Sequence, residues 1–410
     1  MRRVVVTGIG AVTPIGNNTK DYWEALQAGV NGIAPISRFD TSEFKSTLAA
    51  EVKGFDASRY FDKITEKKTD LYVQYAIAAA QEAVTDSDIQ GRVDSERFGV
   101  YVGSGVGGIL TLCQEEEAYL SGGPKKVSPH FVPKMIINMA AGQVAIRFGA
   151  HGSALCLSTA CATGASAIGE AYRAVKDGYL DAVICGGTEA SINELCVAGF
   201  INCMALSQAS DPNAASLPFD RRRGGFVLGE GAAMLVLESH EAALARGAHI
   251  YAEICGYGTT CDAHHVTAPD PAAEQTARVI ALALQGVPYR AEQLYINAHG
   301  TGTKLNDKVE TMAFKKFFGA DASKLAISST KSMTGHMLGA AGAAEVIACL
   351  MALETGVVPP TINLHEPDEE LDLHYTPLRA ERRSVSLALS TSLGFGGHNA
   401  CLALRKWEAE

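Results

Sequence analysis

Three side chains in this sequence combine nucleophile and donor chemistry with a setting of small residues at the ends of predicted elements. Cys161 closes the run Leu155-Cys-Leu-Ser-Thr-Ala-Cys161 and opens the small-residue stretch Ala162 to Ala167, which continues as an amphipathic helix to about residue 176. A cysteine at a strand-to-helix corner faces the unpaired N–H groups and positive dipole end of the helix, which favour a thiolate. The competing reading is a buried structural cysteine, the commoner fate of a free thiol. His299 ends the run Leu294-Tyr-Ile-Asn-Ala-His299 and precedes Gly300-Thr-Gly-Thr303. His336 follows Lys331-Ser-Met-Thr-Gly335 at the start of a predicted helix. A helix start biases an imidazole towards its neutral form, and a neutral imidazole can donate an N–H to a developing oxyanion. The turn Gly394-Phe-Gly-Gly-His-Asn399 can offer a backbone N–H to an oxyanion hole. His264, His265, His365, His374 and His398 have no comparable setting. One Cys and two His beside Gly and Thr suit covalent catalysis, provided the fold brings them together.

The elements that must do so alternate. Apolar runs at 4–6, 98–103, 180–189, 232–237, 250–258, 294–299, 325–328, 386–390 and 400–404 read as strands. Helical periodicity predicts 19–28, with Thr19 as its cap, then 66–85, 110–120, 137–148, 272–285, 307–318 and 338–354. Residues 207–231 read as a long polar loop. This alternation predicts an α/β protein. Gly103-Ser-Gly-Val-Gly-Gly108 fits GxGxxG, but the acidic residues beyond it, Glu115 to Glu117, lie on a predicted helix rather than at the end of a second strand. A tight turn beside a pocket is the better reading of those glycines. Ser158 to Gly164 also aligns with Ser329 to Gly335, matching at four of seven positions, which predicts a duplication with both corners facing one central site.

The chain has 410 residues, of which 47% are hydrophobic and 20% charged, enough for a large buried core. Its formal net charge of -10 argues against non-specific nucleic-acid binding. No run reaches the roughly 20 uninterrupted apolar residues of a membrane helix, and the N-terminal run is too short for a signal peptide. The ten cysteines are scattered without metal-ligand spacing, which predicts a reduced cytoplasmic setting. Two exposed basic pairs, Lys67-Lys68 and Lys125-Lys126, are candidates for contact with an acidic partner.

Six ordered segments carry a resemblance over essentially the whole chain: 6–16, 158–164, 225–231, 297–301, 331–336 and 394–399. They resemble the elongating β-ketoacyl-[acyl-carrier-protein] synthases of type II fatty-acid synthesis, and the opening motif favours the synthase II branch. The resemblance implies a thiolase-like fold, in which two duplicated βαβαβαββ halves, 1–250 and 251–410, form a five-layered αβαβα sandwich. It implies an acyltransferase that condenses malonyl-carrier with a Cys161-bound acyl chain. Cys161 would accept the acyl group, and His299 and His336 would stabilise the enolate. Lys331, paired with Glu345, would organise the site. Phe395 would gate it, its N–H joining that of Cys161 in the oxyanion hole. Thr267, Thr301 and Thr303 would contact the pantetheine arm, and Val106 would line the end of the acyl pocket near a homodimer interface. No cofactor is implied, since the substrates ride on the phosphopantetheine of acyl carrier protein. A monovalent cation near Asn297, Glu345 and Ser390 accompanies some members.

The chain departs from the family pattern in three places. Gly300-Thr-Gly-Thr-Lys304 stands for Gly-Thr-Ser-Thr-Pro, Leu393 for Phe, and Met204 for a basic docking residue. The first resembles polyketide-type ketosynthases and keeps that alternative open. A degradative thiolase would need a second cysteine near 394–399, the initiating synthase a Cys-His-Asn set, and a chain-length-factor partner would lack the nucleophile. A Cys-His hydrolase remains as the plain enzyme reading.

Overall fold

Apolar runs pair into one mixed ten-stranded sheet, and the pairing repeats itself. The computed structural model describes residues 2–408. Strands β1 (Val4–Val12), β2 (Phe98–Gly103), β3 (Ala154–Leu155), β4 (Ala182–Glu189) and β5 (Gly231–Ser239) lie in the order β3-β2-β4-β5-β1. Strands β6 (Ala252–Cys261), β7 (Leu294–Asn297), β8 (Ala326–Ser328), β9 (Leu387–Gly394) and β10 (His398–Lys406) lie in the same order, β8-β7-β9-β10-β6. In each copy the fifth strand runs antiparallel to both neighbours, while the second, third and fourth are mutually parallel. The copies join where Val4–Val6 pair antiparallel with Ala252–Ile254.

Each copy also carries three long helices in equivalent places. The first has α1 (Leu71–Ser87), α2 (Met139–Phe148) and α3 (Thr163–Lys176). The second has α4 (Glu274–Ala283), α5 (Lys304–Phe318) and α6 (Ala341–Thr355). Helices α1 and α2 cover one outer face, and α4 and α5 the other, while α3 and α6 touch strands of both copies. The result is the five-layered αβαβα sandwich of a thiolase-like fold, each copy reading βαβαβαββ.

The middle layer explains the sequence of its helices. Helix α6 is apolar all round because it is packed all round. The stretch Leu338–Thr355 is long and apolar enough by composition to cross a membrane, yet 83% of it is buried inside the protein. Small residues let α3 and α6 approach to backbone distance. A Cβ on Gly164 would lie 2.9 Å from the Ala343 nitrogen, and a Cβ on Gly342 would lie 2.9 Å from the Ala165 nitrogen. The two contacts mirror each other across the pseudo-twofold.

That mirror corrects the register of the internal echo. In each copy a left-handed residue opens a three-residue 3-10 turn that runs into the central helix: Ala160 (φ 50) before α3, and Leu338 (φ 44) before α6. Cys161 is therefore equivalent to Gly339, not to Ser332. The Ser-Thr…Thr-Gly match compared a corner with a segment that precedes its counterpart. Four residues separate β3 from Ala160, and nine separate β8 from Leu338, and the extra length carries Lys331 and His336. Two smaller expectations also shift. Asn18, not Thr19, caps the first helix, its side chain accepting from the Asp21 N–H. The helix expected over 66–85 breaks into Lys63–Lys67 and α1, because Asp70 caps Tyr72 and braces Thr111.

Gly164→Ala should therefore lower stability by about 1–3 kcal/mol through overpacking of the central layer. Gly142→Ala, on an open face of α2, should be neutral or stabilising by about 1 kcal/mol or less. Denaturant unfolding of both variants checks the contrast, and equal effects would contradict the close approach.

Candidate active site

The Cys161 corner forms because the chain leaves β3, turns through left-handed Ala160 and starts α3 at Thr163. Thr163 accepts the Thr159 N–H at 2.9 Å and closes the turn. Cys161 is 9% exposed and lies in an apolar cluster with Ile192, Val197, Leu206, Phe226, Leu228 and Leu338. The thiol thus sits against an apolar cluster, a surface compatible with an acyl chain. Burial pushes its pKa up to about 12, against the lowering effects of the Lys331 charge and the Phe395 N–H. The thiolate expected from the helix start is overruled: desolvation is the larger effect, and the resting residue is a thiol.

The turn between β9 and β10 closes over this corner. Gly394 packs on it so tightly that a Cβ would sit 2.6 Å from the Thr159 carbonyl and 3.2 Å from the Cys161 nitrogen. That approach aims the next N–H, on Phe395, at the sulfur. Gly396 donates to the Val266 carbonyl at 2.6 Å, which ties the turn to the exposed loop carrying Thr267.

His299 and His336 meet from the second copy, with ring centroids 5.3 Å apart. Phe226 links them to the Cys161 pocket: it belongs to the same apolar cluster and packs edge-on against His336 at 5.0 Å. His336 is pinned between strand-like partners, donating its N–H to the Val227 carbonyl at 2.7 Å and accepting from Gly229 at 2.9 Å. Its buried Nδ1 has no hydrogen-bond partner among the described residues. Both imidazoles are held well below the usual histidine range by burial first and the Lys331 charge second. They are neutral, as the sequence suggested, though burial rather than a helix dipole is the main cause.

Lys331 is the hub. Its ammonium pairs with Glu345 and lies 3.3 Å from His299 Nδ1, all within a fully buried setting. An ammonium has only protons to offer, so it donates to Nδ1 and places the His299 proton on Nε2. Burial raises the Glu345 pKa while Lys331 lowers it. Glu345 Oε2, both side-chain atoms of Asn297 and Ser390 Oγ are buried without a partner. Asn297 and Ser390 are register partners on β7 and β9. The three oxygens, Glu345 Oε2, Asn297 Oδ1 and Ser390 Oγ, are of the type that ligates a monovalent cation, whereas Asn297 Nδ2 is a donor and would not.

Sequence reasoning missed the braces. Glu310 on α5 accepts the His299 and Gly300 N–H groups at 2.7 and 2.8 Å and the Thr391 hydroxyl at 2.7 Å. Asp307, one turn earlier, accepts from Phe219 and Gly302 at 2.8 and 3.2 Å. Together they hold the Gly300 and Gly302 turn, whose φ angles are 38 and 75. Acidic residues on the buried side of a predicted helix were the available signal.

The remaining candidates are more scattered. Thr301 and Thr303 share a hydrogen bond at 3.0 Å, and Thr267 is exposed across the Phe395 turn. Val106 is 38% exposed and outside the Cys161 cluster, although its turn packs towards the Ala160 carbonyl. Lys67, Lys68, Lys125 and Lys126 are all exposed. A groove of about 780 Å³ lined by Trp23, Tyr60, Glu82, Asp86 and Tyr251 lies away from this chemistry. Its carboxylates already serve backbone N–H groups of β1.

Comparison with known proteins agrees with the geometry. The family "Beta-ketoacyl synthase, N-terminal domain" matches residues 1–243, and "Beta-ketoacyl synthase, C-terminal domain" matches residues 251–365. A 3-oxoacyl-[acyl-carrier-protein] synthase 2 of Synechocystis sp. is 49% identical, with 99% of each chain covered. The solved ishigamide ketosynthase/chain length factor superposes with a TM-score of 0.93 at 37% identity, covering 99% of this chain and 100% of that one. The ketosynthase AntDE, solved with the type II polyketide acyl carrier protein AntF and bound to the hexaketide, gives 0.90 at 34%, covering 99% of this chain and 100% of that one.

A thiol with a pKa of about 12 gains thiolate tenfold per pH unit across the accessible range. Alkylation of Cys161 by iodoacetamide, followed by peptide mass mapping, should therefore keep rising to pH 10. A plateau below pH 8 would refute the burial argument.

Proposed function

The chain belongs to the β-ketoacyl synthase family, and from that premise we propose how its residues carry out the reaction. The enzyme is an elongating 3-oxoacyl-[acyl-carrier-protein] synthase of type II, an acyltransferase of fatty-acid biosynthesis. The observation that carries the assignment of roles is the convergence of the Cys161 pocket with two neutral imidazoles and the Lys331–Glu345 pair.

The Cys161 sulfur attacks the acyl thioester of the carrier, and the thiol proton leaves with the released pantetheine thiol. Malonyl-carrier then binds and loses carbon dioxide. N–H donors of His299 and His336 receive the enolate oxygen, and the Lys331 contact keeps the His299 proton on the Nε2 side. The enolate carbon attacks the acyl carbon on Cys161. The N–H groups of Cys161 and Phe395 receive the second oxyanion. Its collapse releases 3-oxoacyl-carrier and a thiolate that regains a proton. Neutral, buried donors suit both oxyanions, because they stabilise developing charge without losing a proton first.

Phe395 serves as the gate between the two half-reactions, and Thr267, Thr301 and Thr303 guide the pantetheine arm. Acyl carrier protein is the partner, and Lys67, Lys68, Lys125 and Lys126 are its proposed docking charges. Both carbon pieces arrive on phosphopantetheine, so no organic cofactor is invoked. Asn297, Glu345 and Ser390 would hold a monovalent cation, which would stiffen the Lys331 hub. The proposed setting is the cytoplasm, in keeping with ten free cysteines.

The proposed state is a homodimer. Strand β3 is an exposed two-residue edge, and the exposed apolar side chains Val106, Leu112, Val132 and Leu155 lie on it and on the segments packed beside it. Such an edge needs a cover. Sedimentation equilibrium should give twice the chain mass, and a monomer at micromolar concentration would reject the dimer.

Intact-mass measurement tests the chemistry. Incubation with acyl-carrier should leave an acyl adduct, absent in Cys161→Ala, that malonyl-carrier discharges into a product two carbons longer. Discharge to free acid alone would mark a hydrolase. His336→Ala should keep acylation within about tenfold of wild type while decarboxylation falls by roughly a hundredfold or more, the scale of a lost oxyanion donor.

A further inference from the structure

Glu189 is a fully buried carboxylate beside the Cys161 corner that the mechanism leaves idle. It ends β4, and four donors from two places, the 104–106 turn and Gly339, converge on it. Its Oε1 accepts the Ser104 hydroxyl at 3.1 Å and the Val106 N–H at 3.2 Å. Its Oε2 accepts the Gly105 N–H at 2.8 Å and the Gly339 N–H at 3.1 Å. The backbone leaves no room for alternatives: a Cβ on Gly105 would lie 2.7 Å from Oε2, and one on Gly339 3.0 Å from it. The GxGxxG turn is thus an anion cradle, and the anion is part of the protein.

The duplication says what that cradle corresponds to. Gly339 is the counterpart of Cys161, because each follows the left-handed residue that opens a central helix. Glu189 is the counterpart of Gly394, because each is the last residue of the fourth strand of its copy. In the first copy, the Gly394 backbone lies against the Cys161 nitrogen, and together with Phe395 frames the proposed oxyanion hole. In the second copy the equivalent place is filled by a carboxylate oxygen.

We infer that Glu189 is a positioning residue: its carboxylate plugs the second copy's anion hole and thereby holds the Val106 turn against the Cys161 corner. The turn lies beside the Cys161 corner, where a Cβ on Gly105 would lie 3.8 Å from the Ala160 carbonyl, and it carries Val106, which is proposed to line the acyl site. Losing the carboxylate frees four donors at once, so the turn relaxes and the pocket admits a different range of acyl lengths. The acyl part rests on the ketosynthase reading above, whereas the anion hole does not. Burial lifts the Glu189 pKa to about 7, and the Gly339, Gly105, Ser104 and Val106 donors act in the opposite direction, as donors facing a carboxylate do.

Glu189→Ala removes the internal anion and leaves a cavity of the right chemistry for formate. Formate at tens of millimolar should raise the melting temperature of Glu189→Ala and leave that of wild type unchanged against a chloride control of equal ionic strength. The ratio of long-chain to short-chain acylation of Cys161, read by intact mass, should shift by about threefold or more in the variant and return with formate. Glu189→Gln, which keeps the volume, should show the same shift without formate rescue. An equal formate response in wild type and variant overturns the anion hole. An unchanged acylation ratio, or a shift that formate leaves in place, overturns the positioning role. If wild type takes up no acyl group, the ketosynthase reading fails, while the melting-temperature comparison still decides the anion hole.

Discussion

Everything in this molecule depends on two helices touching backbone to backbone. Gly164 and Gly342 let α3 and α6 close to a distance that no larger side chain permits. That contact sets the spacing between the two five-stranded halves of the sheet, and so between the corner that carries Cys161 and the segment that carries His336. Neither element holds its place alone. Helix α6 is apolar apart from the ion-paired Glu345 until its exposed last residues, and is buried along nearly all its length. The alanines around it lose little side-chain entropy on burial and leave the strands free to approach.

Desolvation is the second organising force, and it acts on every group of the site in the direction that favours the neutral form. It keeps the thiol protonated and both imidazoles uncharged. The buried carboxyls have partners that oppose that effect: Lys331 for Glu345, and backbone N–H groups for Glu310 and Asp307. Breaking a buried pair of this kind costs about 3–5 kcal/mol, because the remaining charge has nowhere to go. Truncating either Lys331 or Glu345 therefore disturbs the fold as well as the chemistry. The isosteric Glu345→Gln is the gentler probe of that hub.

The sequence carried the repeat of strands and helices because each has a clear period, and it carried the site because Cys161, His299 and His336 sit beside glycines at element ends. What it hid were effects of burial and of backbone geometry. The dipole argument at Cys161 was physically sound and lost to a larger desolvation effect. The register of the duplication was misplaced because a chance match of Ser, Thr and Gly outweighed the true signature, a left-handed residue before each central helix, which has no spelling in amino-acid types: it is Ala160 in one copy and Leu338 in the other. The glycine turn at 103–108 was recognised as a turn, but its partner Glu189 lies far along the chain and only the fold joins them.

The turn that carries Phe395 has a bearing on biosynthesis. It joins the last two strands of the sheet, and Gly394 completes the wall around the Cys161 backbone. A nascent chain emerging from the ribosome presents the cysteine long before it presents its oxyanion donors. His299 and His336 also emerge later than Cys161, and Phe395 emerges last. The proposed nucleophile is therefore made well before the backbone proposed to complete its oxyanion hole, so a polypeptide that stops short of Phe395 would carry the cysteine without that donor.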